Sequence, residues 1–263
     1  MVVFLHGFPE FWWAWRNQLP AVADAGWRAV AMDLRGYGAS DKTPRGYDPF
    51  TAAADVSGVI RSLGETSAVL VGHGWGGFVA WSTAVLAARQ VRALAAVAAP
   101  HPLALMRPAS NRLSSLVKVG LAQVPVLPER RLLARDGAVV DELLRSWSAP
   151  GSGFPDPEAS RRYRAALQVW PAPHCALEYH RWLVRSRIRS DGRRYSNRMR
   201  TPIAVPVLQV DGAQDPATPL GPTPARLITG PHDHHVITGS GHFPHEETPG
   251  VFTSLLLDWL AKL

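Results

Sequence analysis

With one cysteine, Cys175, in 263 residues, the chain cannot close an internal disulfide, and a reducing compartment is expected. No charged segment followed by an apolar stretch and a small-residue cleavage site opens the sequence, so a cytoplasmic location is expected. Long apolar runs are missing as well. Arg89, Arg92 and Arg107 interrupt the longest candidates before membrane-spanning length, which excludes a transmembrane helix. Nor does any nucleic-acid motif or RNP-type aromatic pattern appear, so no nucleic-acid partner is expected.

The apolar content is 46%, enough at this length for one large α/β domain carrying an inserted subdomain. The net charge of +7 is uneven. Residues 103–200 hold eighteen Arg and Lys against eight Asp and Glu, and the remainder holds ten against thirteen. A basic middle segment thus sits in a mildly acidic frame. Charge runs of this kind usually form solvated faces, and that reading is adopted over an anionic partner.

Short apolar runs at 2–5, 27–32, 68–71 and 93–98 each precede a loop, with helical patterns following at 50–63 and 78–88. Alternation of this type implies a mostly parallel sheet covered by helices on both faces. Between 103 and 200 the strand signal disappears, and arginine-rich, helix-compatible stretches punctuated by prolines take over. Strand runs return at 205–210 and 235–238, and a helix closes the chain at 251–263. The middle therefore reads as an insertion between strands of one sheet.

Four motifs sit at the ends of these runs. HGFPE begins at His6, DLRGYGASDK at Asp33, GHGWGG at Gly72 and GHFPHEETP at Gly241. Together they resemble the α/β-hydrolase superfamily, in its epoxide-hydrolase branch, over nearly the whole chain. The resemblance implies an α/β-hydrolase fold whose core spans 1–102 and 201–263, with 103–200 as a helical cap. It also implies two further strands before the run at 2–5. Their absence here would leave the 27–32 strand as an unpaired edge.

In that branch the residue at the position of Gly74 is an aspartate. It attacks the epoxide and forms an alkyl-enzyme ester, which splits one hard displacement into two easier steps. Glycine cannot form this ester, although it suits the tight turn of a nucleophile elbow. Asp215 matches the charge-relay carboxylate and His242 the general base, with Asp211 and His245 as the neighbours most easily confused with them. The HGFP residues His6, Gly7, Phe8 and Pro9 match one wall of the oxyanion hole, and Trp75, directly after Gly74, matches the other.

The branch also places two cap tyrosines over the epoxide oxygen. No tyrosine occurs between Tyr47 and Tyr163, and in ALEYHRW it is His180, not Tyr179, that precedes the arginine. His180, Tyr179 and Tyr163 are the cap candidates for a hydrogen-bond donor. The chemistry implied needs no cofactor or metal. The histidines of PHDHHV alternate faces on a strand and lack partners for a tetrahedral set. Two functions follow: a small apolar molecule bound between cap and sheet without covalent chemistry, or hydrolysis of epoxides or small esters by water activated at the Asp215–His242 pair.

Overall fold

A computed structural model describes residues 1–106, 123–218 and 221–263; Arg107 and the part of the expected cap from 107 to 122 lie outside the described residues. Among the described residues six strands form one sheet: β1 (Val2–Leu5), β2 (Ala29–Met32), β3 (Ala68–His73), β4 (Val91–Val97), β5 (Val207–Gly212) and β6 (His232–Ile237). All neighbours are parallel, in the order β2-β1-β3-β4-β5-β6. Strands β1, β3 and β5 are buried along their whole length, which explains the apolar runs at 2–5 and 68–71, while β5 also buries Gln209 and Asp211.

The two outer strands differ. Strand β2 pairs only with β1 and is half-buried throughout, so it forms an edge among the described residues. Strand β6 begins at His232, three residues before the apolar run suggested. Its first four residues, His-Asp-His-His, lie on an edge whose pairing partner among the described residues is β5, so hydrophobicity does not mark them.

Helices occupy the connections. Helix α1 is Gln18–Asp24, α2 Pro49–Ser62 and α3 Trp75–Leu86. Between β4 and β5 lie α4 (Pro102–Met106), α5 (Leu127–Trp147), α6 (Pro157–Gln168), α7 (Ala172–Arg185) and α8 (Ser190–Arg198). Helices α9 (Pro244–Glu247) and α10 (Pro249–Leu260) follow β6. Two helices start alike: Asp48 accepts from the amides of Phe50 and Thr51, and Asp156 from those of Glu158 and Ala159, each with proline at the first helical position. Helix α5 is broken at Ala134–Gly137, where three successive residues take positive φ. None of the described helices is long and apolar enough to cross a membrane.

Helix α3 is buried from Gly76 to Val85 and is apolar all round, as a central helix must be. It can lie so close to β1 because of Gly76, where an added Cβ would sit 2.1 Å from the Leu5 carbonyl oxygen. Several arginines of 123–200 pair at the surface, for example Arg162 with Glu158 and Arg135 with Glu142, and such exposed pairs add little stability. Arg181 is the exception, buried at 2.8 Å from Glu129.

Chain direction across the sheet reverses between β1 and β3: from β1 the chain steps outward to β2, then returns beyond β1 to β3 and proceeds the other way. A crevice opens at the carboxyl ends of strands at such a switch point. The HGFP loop and the turn into α3 flank it.

Candidate active site

The turn from β3 into α3 is a sharp elbow with Gly74 at its tip, at φ 51° and ψ −114°. This region is sparsely populated by residues with a side chain. The Gly74 amide donates to the Val97 carbonyl at 3.0 Å, which fixes the elbow against β4. A Cβ placed on Gly74 would meet only ordinary contacts, 3.6 Å from Gly7 Cα and 3.6 Å from His242 Nε2. Backbone conformation, not crowding, is the cost of a side chain at this position.

His242 follows β6 in the loop before α9. Its Nδ1 donates to Asp215 Oδ2 at 2.9 Å, which leaves Nε2 facing the elbow. Asp215 is organised in turn by the amides of Ala217 and Thr218 and by the Thr218 hydroxyl. Burial opposes ionisation of Asp215, but the His242 charge and these hydrogen bonds more than offset it and hold its carboxyl below the ordinary value. Asp211 belongs elsewhere: it accepts from His234 Nε2 at 2.9 Å, and burial raises its pKa.

A cavity of about 340 Å³ opens over Gly74 and His242, walled by Phe8, Trp75, Phe78, Trp147 and Leu183. The Phe8–Pro9 peptide is cis. His6 lies beneath the loop, donating through Nδ1 to the Gly7 carbonyl at 2.8 Å and accepting from the Leu34 amide at 3.0 Å through Nε2. Gly7 packs against His73, whose Nδ1 would lie 2.6 Å from an added Cβ. Of the HGFP residues, Phe8 is the one that lines the cavity.

The three cap candidates are placed differently. The Tyr179 hydroxyl donates to the Arg35 carbonyl at 2.9 Å, and the Tyr163 hydroxyl donates to Glu246, so neither lines the cavity. His180 does line it. Its Nδ1 donates to the Ala176 carbonyl at 3.2 Å and its Nε2 accepts from Trp75 Nε1 at 2.9 Å. Burial lowers the His180 pKa to about 4. The imidazole is therefore neutral near pH 7, with no N–H left for a substrate oxygen.

One part of the site escapes sequence reasoning. Glu10, His73 and His245, all fully buried, form a network beneath the elbow. Glu10 Oε2 accepts from His73 Nδ1 at 2.7 Å and Oε1 from His245 Nε2 at 3.0 Å, while His73 Nε2 donates to the His242 carbonyl at 2.8 Å. Both ring nitrogens of His73 thus donate, the pattern of an imidazolium. Burial disfavours that charge, but the Glu10 carboxylate outweighs burial and raises the His73 pKa. Burial likewise opposes ionisation of Glu10, and the two histidines hold its carboxyl well below the usual range. The three side chains place ligand atoms within 4.8 Å of one another, yet His73 keeps no lone pair for a metal. The available signal was that Glu10 closes HGFPE and His73 lies in GHGWGG, motifs at the ends of the adjacent strands β1 and β3.

The His245 pKa is lowered to about 4, chiefly by burial, and its Nδ1 has no hydrogen-bond partner among the described residues. A folded pKa below the unfolded value of about 6.5 means the unfolded state takes up the proton first, so stability falls as pH drops from about 6.5 to about 4. Glu246, whose carboxyl burial pushes up to about 7, opposes this over part of the window, whereas His101 and His180, both lowered to about 4 by burial, act in the same direction as His245. Each such histidine removes about 1.4 kcal/mol for every pH unit crossed inside the window. Urea denaturation is therefore expected to show a loss of roughly 3 kcal/mol or more between about pH 7 and about pH 4.5. A flat profile there would contradict neutral burial of these histidines.

The pattern described as the alpha/beta hydrolase family matches residues 2–255. The chain is 30% identical to epoxide hydrolase A of Mycobacterium tuberculosis over 297 aligned residues, covering 100% of this chain and 91% of that protein. It is also 30% identical to an AB hydrolase superfamily protein of Bacillus subtilis, over 99% of this chain and 90% of that one. Cfl2 of Burkholderia cenocepacia superposes with a TM-score of 0.83 at 28% identity, covering 98% of this chain and 87% of the other. Epoxide hydrolase A of Mycobacterium thermoresistibile, at 24% identity, superposes with a TM-score of 0.78 over 99% of this chain and 90% of its own, a likeness of fold alone.

Proposed function

Since the chain belongs to the alpha/beta hydrolase family, in its epoxide-hydrolase-like branch, we propose that it is a catalytically impaired member that keeps an apolar small-molecule pocket. The observation that carries this reading is Gly74 at the elbow tip, where a nucleophile would face His242 Nε2. Without a carboxylate there is no atom to form the ester, so the covalent route is closed. The acid–base pair is intact in form. Asp215 fixes the tautomer of His242 and aims Nε2 at the elbow. The amides of Phe8 and Trp75 are the proposed oxyanion-hole donors.

We read 103–200 as the cap. Trp147 on α5 and His180 and Leu183 on α7 close the cavity opposite Gly74. Walls of this kind suit a small neutral apolar molecule, an epoxide, a diol or an ester, held by few polar contacts. A second reading has one observation in its favour: a histidine dyad whose Nε2 opens onto the cavity has the form of a base for water.

Incubation with a styrene-oxide-type epoxide and the derived diol at pH 8 separates the two. The impaired reading expects a rise in Tm of several degrees at saturating ligand, from about 2.7 kcal/mol at one hundred times Kd. It also expects no covalent adduct by intact mass and no consumption over hours. Steady product formation abolished by His242→Ala would establish the water-activating reading instead.

A further inference from the structure

Shortening aspartate to glycine removes charge and volume from a place still built to receive a carboxyl group. His242 is 6% exposed, its Nδ1 is engaged by Asp215, and its Nε2 makes no hydrogen bond among the described residues. That Nε2 lies 3.6 Å from where a Cβ on Gly74 would stand, on the wall of the cavity. Helix α3, twelve residues long, begins at the same point, and the amides of its first turn have no carbonyl of their own helix to serve. Beneath the elbow lies the His73 ring, 4.9 Å from the His242 ring and bonded as a cation to Glu10. An acceptor nitrogen, a helix N-terminus and a buried imidazolium converge on one small volume.

Resting on the reading of Gly74 as a nucleophile position without its side chain, we propose that this volume is a binding site for a small apolar monocarboxylic acid. The carboxyl group enters between His242 Nε2 and the start of α3, and the hydrocarbon tail lies against Phe8, Phe78, Trp147 and Leu183. One carboxyl oxygen shares a proton with Nε2, and the other accepts from the helix amides, where negative charge is favoured. The shared proton is the imidazolium's where the ring is already protonated and comes from solvent where it is not. The titratable groups facing His242 are Asp215 through Nδ1, His73 beneath it and His180 across the cavity. Cations are disfavoured by the same helix N-terminus. A ligand with only acceptors leaves Nε2 without a partner, which costs affinity.

Titration calorimetry at pH 6 with acetate, butyrate, hexanoate and the uncharged isostere 2-heptanone tests the site. Affinity is expected to rise about fourfold per methylene from the burial of the tail. Hexanoate should bind at least tenfold tighter than 2-heptanone. In Gly74→Asp the tethered carboxyl group occupies the volume, so hexanoate should weaken more than tenfold while 2-heptanone changes by no more than a few fold. Equal binding of hexanoate to both proteins, equal binding of hexanoate and 2-heptanone, or no binding of hexanoate while 2-heptanone binds would each overturn the proposal and leave the pocket standing. If neither the acids nor the neutral ketone and diol bind, the pocket reading itself fails.

Discussion

Gly74→Asp should convert a protein that forms no adduct into one that gains the mass of one epoxide and consumes the substrate at least ~10² faster than the parent. Deleting one member of a catalytic unit commonly costs several orders of magnitude, so restoring the missing member has a large range to recover. The geometry permits it. A Cβ on residue 74 has 3.6 Å to its nearest neighbours, and the carboxyl group beyond it points into the cavity beside His242 Nε2. The cost is backbone strain at φ 51°, about 1–3 kcal/mol, seen as a drop of a few degrees in Tm. Recovery should stop short of a fully equipped epoxide hydrolase. The tyrosine hydroxyls and both His180 nitrogens are engaged elsewhere, so among the described residues the opening oxygen lacks a cap donor, and losing one such donor costs about 10²–10³ in rate. A folded variant with no mass shift and no added consumption would show that the elbow no longer presents residue 74 to the substrate.

That expectation depends on how the site is encoded. The strand runs at β1 and β3 were legible because their residues are apolar without interruption and buried on both faces. The Asp48-Pro49 and Asp156-Pro157 pairs likewise encode helix starts locally, with side chain and ring acting on the next turn. Motif order placed Gly74, Asp215 and His242 at the carboxyl ends of strands, and the sheet then brings them together although Asp215 and His242 are 27 residues apart. Harder to read was anything decided between elements. Glu10, His73 and His245 come from three segments, and their ion pairing depends on complete exclusion of water, which no local pattern announces. Tyr179 shows the same limit. Its displacement by one residue was visible, but the capture of its hydroxyl by the Arg35 carbonyl depends on how α7 packs over the loop after β2.

The network beneath the elbow also explains why the dyad keeps its form without a nucleophile. His73 Nε2 holds the backbone carbonyl of His242, and the amide of His242 donates to the Trp147 carbonyl at 2.8 Å. Main-chain bonds on both sides therefore fix the residue before its side chain makes any contact. Neither depends on the identity of residue 74, so the base remains aimed at the elbow with glycine there.

Gly74→Asp/His242→Gln should therefore stop at the ester. Attack by the new carboxylate needs no base, so adduct formation is expected within a few fold of the single variant. Hydrolysis of the ester needs water stripped of a proton at Nε2, and a positioned base typically contributes about 10²–10⁴ in rate. Glutamine cannot take that proton, although its amide retains a hydrogen-bond donor for Asp215. The main-chain bonds to His73 and Trp147 survive the substitution, so loss of hydrolysis is not expected to reflect collapse of the elbow. Rapid-quench intact mass spectrometry should show the single variant with a transient adduct and the double variant with close to one equivalent that persists for hours. Turnover by the double variant at the rate of the single one would remove His242 from the role of base and leave the Asp215 pair as structural support.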